Sequence, residues 1–143
     1  MIRTYLGFDF GTRRIGVAVG RMPGNRCEAL DTVRMTAGRP DWDHLTRLIL
    51  TWKPQALVVG LPVHMDQTAC QATAQARRFG NRLGGRYNLP VHWADERLTS
   101  VTARHMLADA GASSRHHRPA VDRVAACLLL EGFLAEQEHT GAF

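Results

Sequence analysis

The sequence is poor in lysine and cysteine and has no long apolar stretch. Lys53 is the single lysine among 18 basic residues, so arginine supplies nearly all of the positive charge. Cys27, Cys70 and Cys127 are odd in number and widely spaced, which argues against a disulfide framework and against a zinc site. No apolar run approaches the roughly 18 residues that a membrane-spanning helix needs. The sequence therefore predicts a cytoplasmic protein with no signal peptide and no membrane anchor.

The excess of basic residues indicates a polyanionic partner. The formal net charge is +5, and arginine is the side chain best suited to bidentate contacts with phosphate. A GC-rich genome that favours arginine codons would explain the same composition equally well. With 143 residues, of which 45% are hydrophobic, the chain is expected to form one domain over residues 1–143, ending in a flexible tail at residues 138–143.

Aromatic and β-branched runs near the N-terminus predict an antiparallel meander. Residues 5–10 and 15–19 are strand-like and flank a turn at residues 11–14, which is the pattern of a β-hairpin. Residues 26–35 predict a third strand at the edge of the meander, followed by a loop at residues 36–40. The N-terminal part of the chain is therefore expected to contribute three antiparallel strands.

The rest of the chain alternates helical patterns with two short apolar runs. Residues 56–60 and 90–94 are typical of strands buried on both faces of a parallel sheet. Apolar residues at helical spacing predict helices at four places: after the N-cap Asp41, at residues 68–86, at residues 99–110 and from Pro119 onward. This order predicts an α/β fold with a mixed five-stranded sheet, made of the antiparallel meander and two parallel strands, and flanked by helices.

Asp9 breaks the apolar pattern of the first strand. It lies between Phe8 and Phe10, where an unpaired carboxylate would be costly to bury. A divalent cation would offset that cost, because hard cations prefer carboxylate oxygens. An aspartate that caps or turns the strand end is the simpler interpretation of this residue taken alone.

Further carboxylates follow the last predicted strand and open the last predicted helix. Asp95 and Glu96 come directly after residues 90–94, and ligands of α/β sheets gather beyond the carboxyl ends of the strands. Asp122 lies near the start of the final helix, one turn before two alanines that would allow a close approach to the sheet. Each acid could instead cap a helix. Together they predict a site for one or two Mg²⁺ or Mn²⁺ ions.

Four motifs in the chain resemble the YqgF/RuvX family. They are FDFGTRRIGVAVG at residues 8–20, VVGLP followed by Met65-Asp66, DERLT at residues 95–99, and VDRVAA at residues 121–126. The resemblance implies an RNase H-like fold and metal-binding catalytic roles for Asp9, Glu96 and Asp122. It leaves Asp95 as either a ligand or a supporting acid.

The chain departs from the family pattern at two loops. Gln67 replaces a glycine that usually follows the Met-Asp pair, and the loop before the last helix, usually rich in lysine, reads SRHHRP at residues 114–119. Positive charge is kept there. We expect five arginines to contact nucleic acid: Arg13, Arg14, Arg97, Arg115 and Arg118. Those nearest the acids, Arg13, Arg14 and Arg97, could equally neutralise them when no metal is bound.

The resemblance implies a metal-dependent nuclease that acts on structured RNA. Its expected substrate is precursor 16S rRNA, trimmed at the 5′ end, and its expected partners include ribosomal assembly intermediates. A Holliday junction resolvase acting on branched DNA is the main alternative. Two further alternatives are an assembly factor that binds RNA without cutting and an actin-like ATPase or sugar kinase, suggested by the Asp-Phe-Gly-Thr stretch. The last would need two such domains, and this chain has room for one.

Overall fold

The computed structural model describes residues 2–11, 13–24, 26–61, 71–95 and 118–140, and at residues 71–72, 95, 118–122 and 138–140 it describes the backbone alone. The predicted helix at residues 99–110 lies outside this part of the chain. Within it, the elements in chain order are β1 (Arg3–Phe10), β2 (Arg14–Met22), β3 (Arg26–Thr36), β4 (Arg39–Pro40), α1 (Trp42–Trp52), β5 (Ala56–Leu61), α2 (Gln71–Tyr87), β6 (Val91–Asp95) and α3 (Arg118–Thr140).

The strands form one mixed sheet in the order β4-β3-β2-β1-β5-β6. The first four strands in the chain pair antiparallel, whereas β5 pairs parallel with both β1 and β6. The predicted meander and the two parallel strands are therefore confirmed. The sheet has six strands rather than the predicted five, because the segment after β3 also pairs with it.

The additional strand arises from a tight turn where a loop was predicted. Thr36 pairs with Arg39, so Ala37 and Gly38 form a two-residue connection, and both have left-handed backbone angles, with φ of 51° and 76°. Two-residue hairpin turns of this kind need positive φ at both central residues. Alanine rarely adopts that conformation, so the pair Ala-Gly does not predict a hairpin from the sequence.

Large apolar side chains fill the face of the sheet that packs against α1 and α2. Leu6 and Phe8 of β1 are fully buried there. Phe79 of α2 contacts Phe8 edge to face, with ring centroids 5.8 Å apart, and lies 5.2 Å from the ring of Phe10. This face therefore holds the larger, aromatic part of the core.

Small residues line the opposite face, which packs against α3. A Cβ atom added at Gly7 would lie 3.0 Å from the Cβ of Leu130, and Ala126 of the same helix is fully buried. The helix axis consequently lies close to the sheet. Tyr5 and Phe133 close this layer at the other end of β1, with ring centroids 6.3 Å apart.

The ends of the helices follow ordinary capping rules. The Asp41 carboxylate accepts a hydrogen bond from the backbone N–H of His44 at 3.2 Å, which confirms the predicted N-cap of α1. The helix ends at Trp52, and its C-cap residue Lys53 has a left-handed backbone with φ of 47°. The backbone N–H of Lys53 donates a hydrogen bond to the carbonyl of Ile49 in the last turn. The last helix extends through Thr140 and so includes three residues of the segment predicted as a tail. Within the described residues, none of the helices is long and apolar enough to cross a membrane.

Candidate active site

Asp9 is a buried carboxylate on the face of the sheet that packs against α3. Side chains alternate along β1, and Tyr5 and Gly7 contact α3, so Asp9 has the same parity. Only 5% of Asp9 is exposed, and the residue makes a polar or electrostatic interaction within the protein. A carboxylate in such a place is costly unless hydrogen bonds or positive charge compensate for it.

Glycines flank Asp9 on both neighbouring strands. Asp9 pairs directly with Gly16 of β2. On the other side, the parallel register pairs Phe8 with Val59, which brings the next residues, Asp9 and Gly60, to one level, and Gly60 in turn pairs with Ala94 of β6. We call this row of small residues, Gly16, Gly60 and Ala94, the glycine basin. Its members have little or no side chain, and in a strand such residues are typical of a site where another group approaches the backbone closely.

The carboxyl ends of three strands meet at this edge of the sheet. The strands β1, β5 and β6 run parallel, and Leu61 pairs with Asp95 at the end of the last two. Asp9 and Asp95 therefore stand at the same edge, about two strand spacings or 10 Å apart. This is the edge at which α/β sheets bind ligands, as the sequence predicted.

Side chains along β6 alternate between the two faces of the sheet. Val91 and Trp93 pack into the core on the α1 and α2 side, whereas Ala94 packs on the α3 side. Asp95 occupies a register position with the parity of Trp93, and its side chain lies outside the described part. Glu96, the next residue in the chain, lies outside the described residues.

The last helix runs from the Asp9 end of β1 back along the strand. Phe133 packs on Tyr5 and Leu130 packs on Gly7, so successive turns toward the start of α3 advance toward Asp9. Asp122 precedes Leu130 by eight residues, about 12 Å along the axis, and lies on the same stripe of the helix as Ala126. The backbone thus brings Asp122 to the sheet edge that carries Asp9, while its side chain is not described.

Three of the five arginines that are predicted to contact nucleic acid lie in the described part of the chain. Arg13 and Arg14 lie at the β1–β2 turn, within five residues of Asp9, and Arg13 is exposed. The Arg13 carbonyl accepts a hydrogen bond from Met35 at 2.9 Å, so the backbone of this turn is held against β3. Arg118 begins α3. Arg97 and Arg115 lie outside the described residues.

Comparison with known proteins decides the family. Residues 3–136 match the model of the RuvX family, which is described as a Holliday junction resolvase. The chain belongs to the RuvX family. This confirms the resemblance inferred from the four motifs, and the match extends from β1 to the last turns of α3.

Curated relatives of this RuvX chain match over nearly its whole length. A protein of Nitrosococcus oceani is 47% identical over 136 residues, which cover 95% of this chain and 89% of the relative. A protein of Legionella pneumophila is 46% identical, with 94% and 96% covered. Both are named "Putative pre-16S rRNA nuclease".

Solved structures similar to this RuvX chain show that its fold is RNase H-like. Thermus thermophilus RuvC, solved with a Holliday junction substrate, aligns with a TM-score of 0.56 at 14% identity and covers 96% of this chain and 97% of its own. The yeast mitochondrial resolvase Ydc2 aligns with a TM-score of 0.57 at 9% identity, covering 97% and 80%. At such identities the likeness establishes the fold and carries no residue roles.

The donor set at the sheet edge is compatible with a hard divalent cation. Asp9 contributes carboxylate oxygens, the ligands that hard cations prefer, in a nearly dry position beside the glycine basin. In the part of the chain that the structure describes, no three histidine, cysteine or acidic side chains come together. The expected companions Glu96 and Asp122 are those whose side chains lie outside that part.

Sequence reasoning missed the glycine basin. Gly16 and Gly60 are strand glycines, and an isolated glycine in a strand signals a close approach of another group. The register of the strands cannot be read from the sequence, however, and only the pairing shows that both glycines flank Asp9.

Proposed function

We propose that this protein is a metal-dependent nuclease that hydrolyses phosphodiester bonds in structured RNA and processes the 5′ end of precursor 16S rRNA. The observation that carries the proposal is the buried Asp9 in its glycine basin, at the edge where β1, β5 and β6 end. We infer the substrate from the names of relatives that are up to 47% identical to this chain. The protein would act as a single domain over residues 1–143 in the cytoplasm, with ribosomal assembly intermediates as partners.

In this proposal Asp9, Glu96 and Asp122 hold one or two Mg²⁺ or Mn²⁺ ions. Bound divalent ions supply Lewis acidity for phosphoryl transfer and lower the pKa of water. Asp9 would bind the ions from the buried surface of the sheet, and Asp122 would bind them from the close-packed helix α3. Asp95, which directly precedes Glu96, would be either a further ligand or a supporting acid.

The arginines around this edge would hold the substrate. Arg13 and Arg14 on the β1–β2 turn, with Arg97, would bind phosphates next to the acids, and Arg115 and Arg118 would do so ahead of α3. Guanidinium groups bind phosphate oxygens in pairs and remain charged at any physiological pH. These contacts orient the backbone of the substrate without reading its sequence.

Cleavage of branched DNA is the second candidate function. The family description as a Holliday junction resolvase favours it. Symmetric cutting of a junction would require two active sites held in one assembly. The chemistry at Asp9 would be the same, so the two functions differ in their substrate and in the assembly that the substrate requires.

The test compares two labelled substrates, a precursor 16S 5′-end RNA and a four-way DNA junction, with Mg²⁺ or Mn²⁺ at matched salt. We expect cleavage of the RNA and a loss of more than about 100-fold in Asp9→Asn and Asp122→Asn, beyond the effect of removing an outer-shell partner of a metal. Asp43→Asn, an exposed acid in the first turn of α1, is the matched control and should cut normally.

Three other outcomes would each change the conclusion. Cleavage of the junction alone would replace the RNA substrate by branched DNA. Binding without cleavage at any ion concentration would overturn the nuclease and leave an RNA-binding assembly factor. Full activity of Asp9→Asn would show that the catalytic site lies elsewhere.

A further inference from the structure

A cavity of about 340 Å³ opens on the face of the sheet opposite Asp9. It lies between the β3–β4 hairpin, the start of α1 and one side of α2. Its lining combines aromatic, small and basic residues: Phe10, Met35, Gly38, Pro40, Trp42, Gln75, Arg78, Phe79 and Arg82. A shallower hollow lined by Trp42, Arg82, Gly85 and Arg86 adjoins it. We call the two together the α2 groove.

The charge along the α2 groove is of one sign. Arg78, Arg82 and Arg86 follow each other at intervals of four residues, so they form one row along α2, and all three are exposed. The sequence contains no acidic residue from Gln67 to Ala94, and none of the lining residues is acidic. Like charges at this spacing weaken a helix slightly, so the row is a cost to folding that a polyanionic ligand would offset.

The floor of the α2 groove is aromatic. The ring of Trp42, half-buried, lies nearly parallel to that of Phe79, with centroids 6.3 Å apart and an angle of 29°. The guanidinium carbon of Arg86 lies over the Trp42 ring, 4.6 Å from its centroid. Phe10 completes the wall. Aromatic faces beside a row of arginines are what single-stranded nucleic acids need, since bases stack on rings while phosphates follow positive charge.

We propose that the α2 groove binds an unpaired stretch of the nucleic acid substrate. Arg78, Arg82 and Arg86 would contact successive phosphates, and a base would enter the cavity between Phe10 and Trp42. The ligand is single-stranded, because the bases of a duplex are stacked inside it and cannot enter a protein cavity. Phe10 directly follows Asp9 in β1, so the groove begins at the same sheet edge as the proposed active site. The proposal rests on the proposed function in one respect, that the strand held here continues toward Asp9.

The first test measures binding of a labelled single-stranded polyuridine by fluorescence anisotropy, in the Asp9→Asn background and without added metal. For Arg78→Ala/Arg82→Ala we expect weaker binding and a log–log salt slope shallower by about 1.4, since each phosphate contact on a single strand contributes about 0.7. Both arginines are exposed, so their loss leaves the core intact. Arg47→Ala, an exposed arginine of α1 that is not part of the groove, should keep the slope of the parent.

The second test asks whether a base stacks on the floor. Trp42→Leu should weaken polyuridine binding about 5- to 150-fold, the range for losing one stacked base. Photo-crosslinking with 4-thiouridine in the strand should label peptides that contain Trp42 or residues 75–86 in the unmutated groove. An unchanged salt slope in the double arginine variant, or crosslinks confined to other peptides, would overturn the proposal. Equal loss of binding to a blunt duplex would overturn the single-strand requirement.

The outcomes separate this inference from the nuclease. If the strand binds in the groove but no substrate is cut, the groove stands and the proposed function fails. If RNA is cut at Asp9 but the arginine and Trp42 variants bind polyuridine normally, the nuclease stands and the groove fails.

Discussion

The two faces of the sheet are built from different side chains and carry different proposed sites. On the α3 face, Gly7 and Gly20 leave almost no space between the strands and the helix, and an added Cβ at either would lie within 3.0 Å of a leucine side chain. On the α1 and α2 face, rings of Phe8, Phe79 and Trp42 fill a thicker layer. The tight face carries Asp9, and the thick face carries the α2 groove.

The contrast indicates where geometry has to be accurate. A helix whose distance from the sheet is set by direct contact at glycine has little freedom to shift, because packed interiors do not deform continuously. The backbone at the start of α3, which carries Asp122, would therefore keep a fixed distance from the sheet. An aromatic layer can adjust ring angles instead, and this suits a groove that accepts different bases.

The largest expected effect comes from cutting a large side chain out of the tight face. Leu130→Ala should lower the free energy of unfolding by about 2–5 kcal/mol, because Leu130 is fully buried and packs on Gly7. It should also lower cleavage by about 100-fold at a temperature where the protein stays folded, since a shift near 1 Å in α3 would misplace Asp122. Urea titration and single-turnover cleavage measure the two effects.

The matched control removes an equally buried leucine from the other face. Leu45→Ala in α1 should cost a similar free energy of unfolding, because Leu45 is also fully buried. Its cleavage rate per folded molecule should stay close to that of the unmutated chain. Equal loss of cleavage in both variants would mean that general stability, rather than the position of α3, limits activity.

An intermediate effect on stability comes from adding one methyl group at a glycine, once in the tight face and once on the open surface of α2. Gly7→Ala should destabilise by about 1–3 kcal/mol, since the new Cβ would lie 3.0 Å from the Cβ of Leu130, an atom that cannot move without its backbone. Gly85→Ala in α2 meets no atom within 4 Å and should stabilise by up to about 1 kcal/mol through helix propensity. Thermal unfolding of the pair checks the opposite signs, and a stabilised Gly7→Ala would show that α3 is free to move away.

Much of the sheet, and the cap of its first helix, could be predicted from the sequence. The hairpin at residues 5–19, the buried runs at residues 56–60 and 90–94, and the Asp41 cap each depend on neighbouring residues, and the structure confirms them. Asp9 was found because one carboxylate interrupts an apolar strand. The metal-binding roles of Asp9, Glu96 and Asp122 stay predictions.

The features that could not be predicted from the sequence depend on contacts between segments that are distant in the chain. The glycine basin needs the register of three strands, and the α2 groove brings Trp42 next to Arg82 and Arg86. The short strand β4 depends on Ala37 adopting a positive φ, against its usual preference. In each case tertiary packing selects an arrangement that local propensity does not indicate.

The last expected effect concerns two thiols packed against the tight face. Burial, and to a lesser degree the charges of Cys127 and Glu131, raises the pKa of Cys27 to about 12, whereas the ordinary thiol value is 9.0. Burial and Glu131 likewise raise the pKa of Cys127 to about 11, and its thiol donates a hydrogen bond to the Glu131 carboxylate at 3.7 Å. Both thiols therefore keep their protons in the folded chain at a pH where the unfolded chain has lost them.

The sign of the pH dependence follows from that difference. As pH rises from about 9 toward 12, the unfolded state binds fewer protons than the folded state, so the free energy of unfolding falls. In Cys27→Ala this fall should be shallower, while below pH 9 the variant should differ from the parent by a constant packing loss. Urea titrations from neutral to alkaline pH measure the difference between the two chains, in which the titration of other groups cancels. A difference that does not change with pH would mean that the Cys27 thiol ionises as readily under α3 as it does in water.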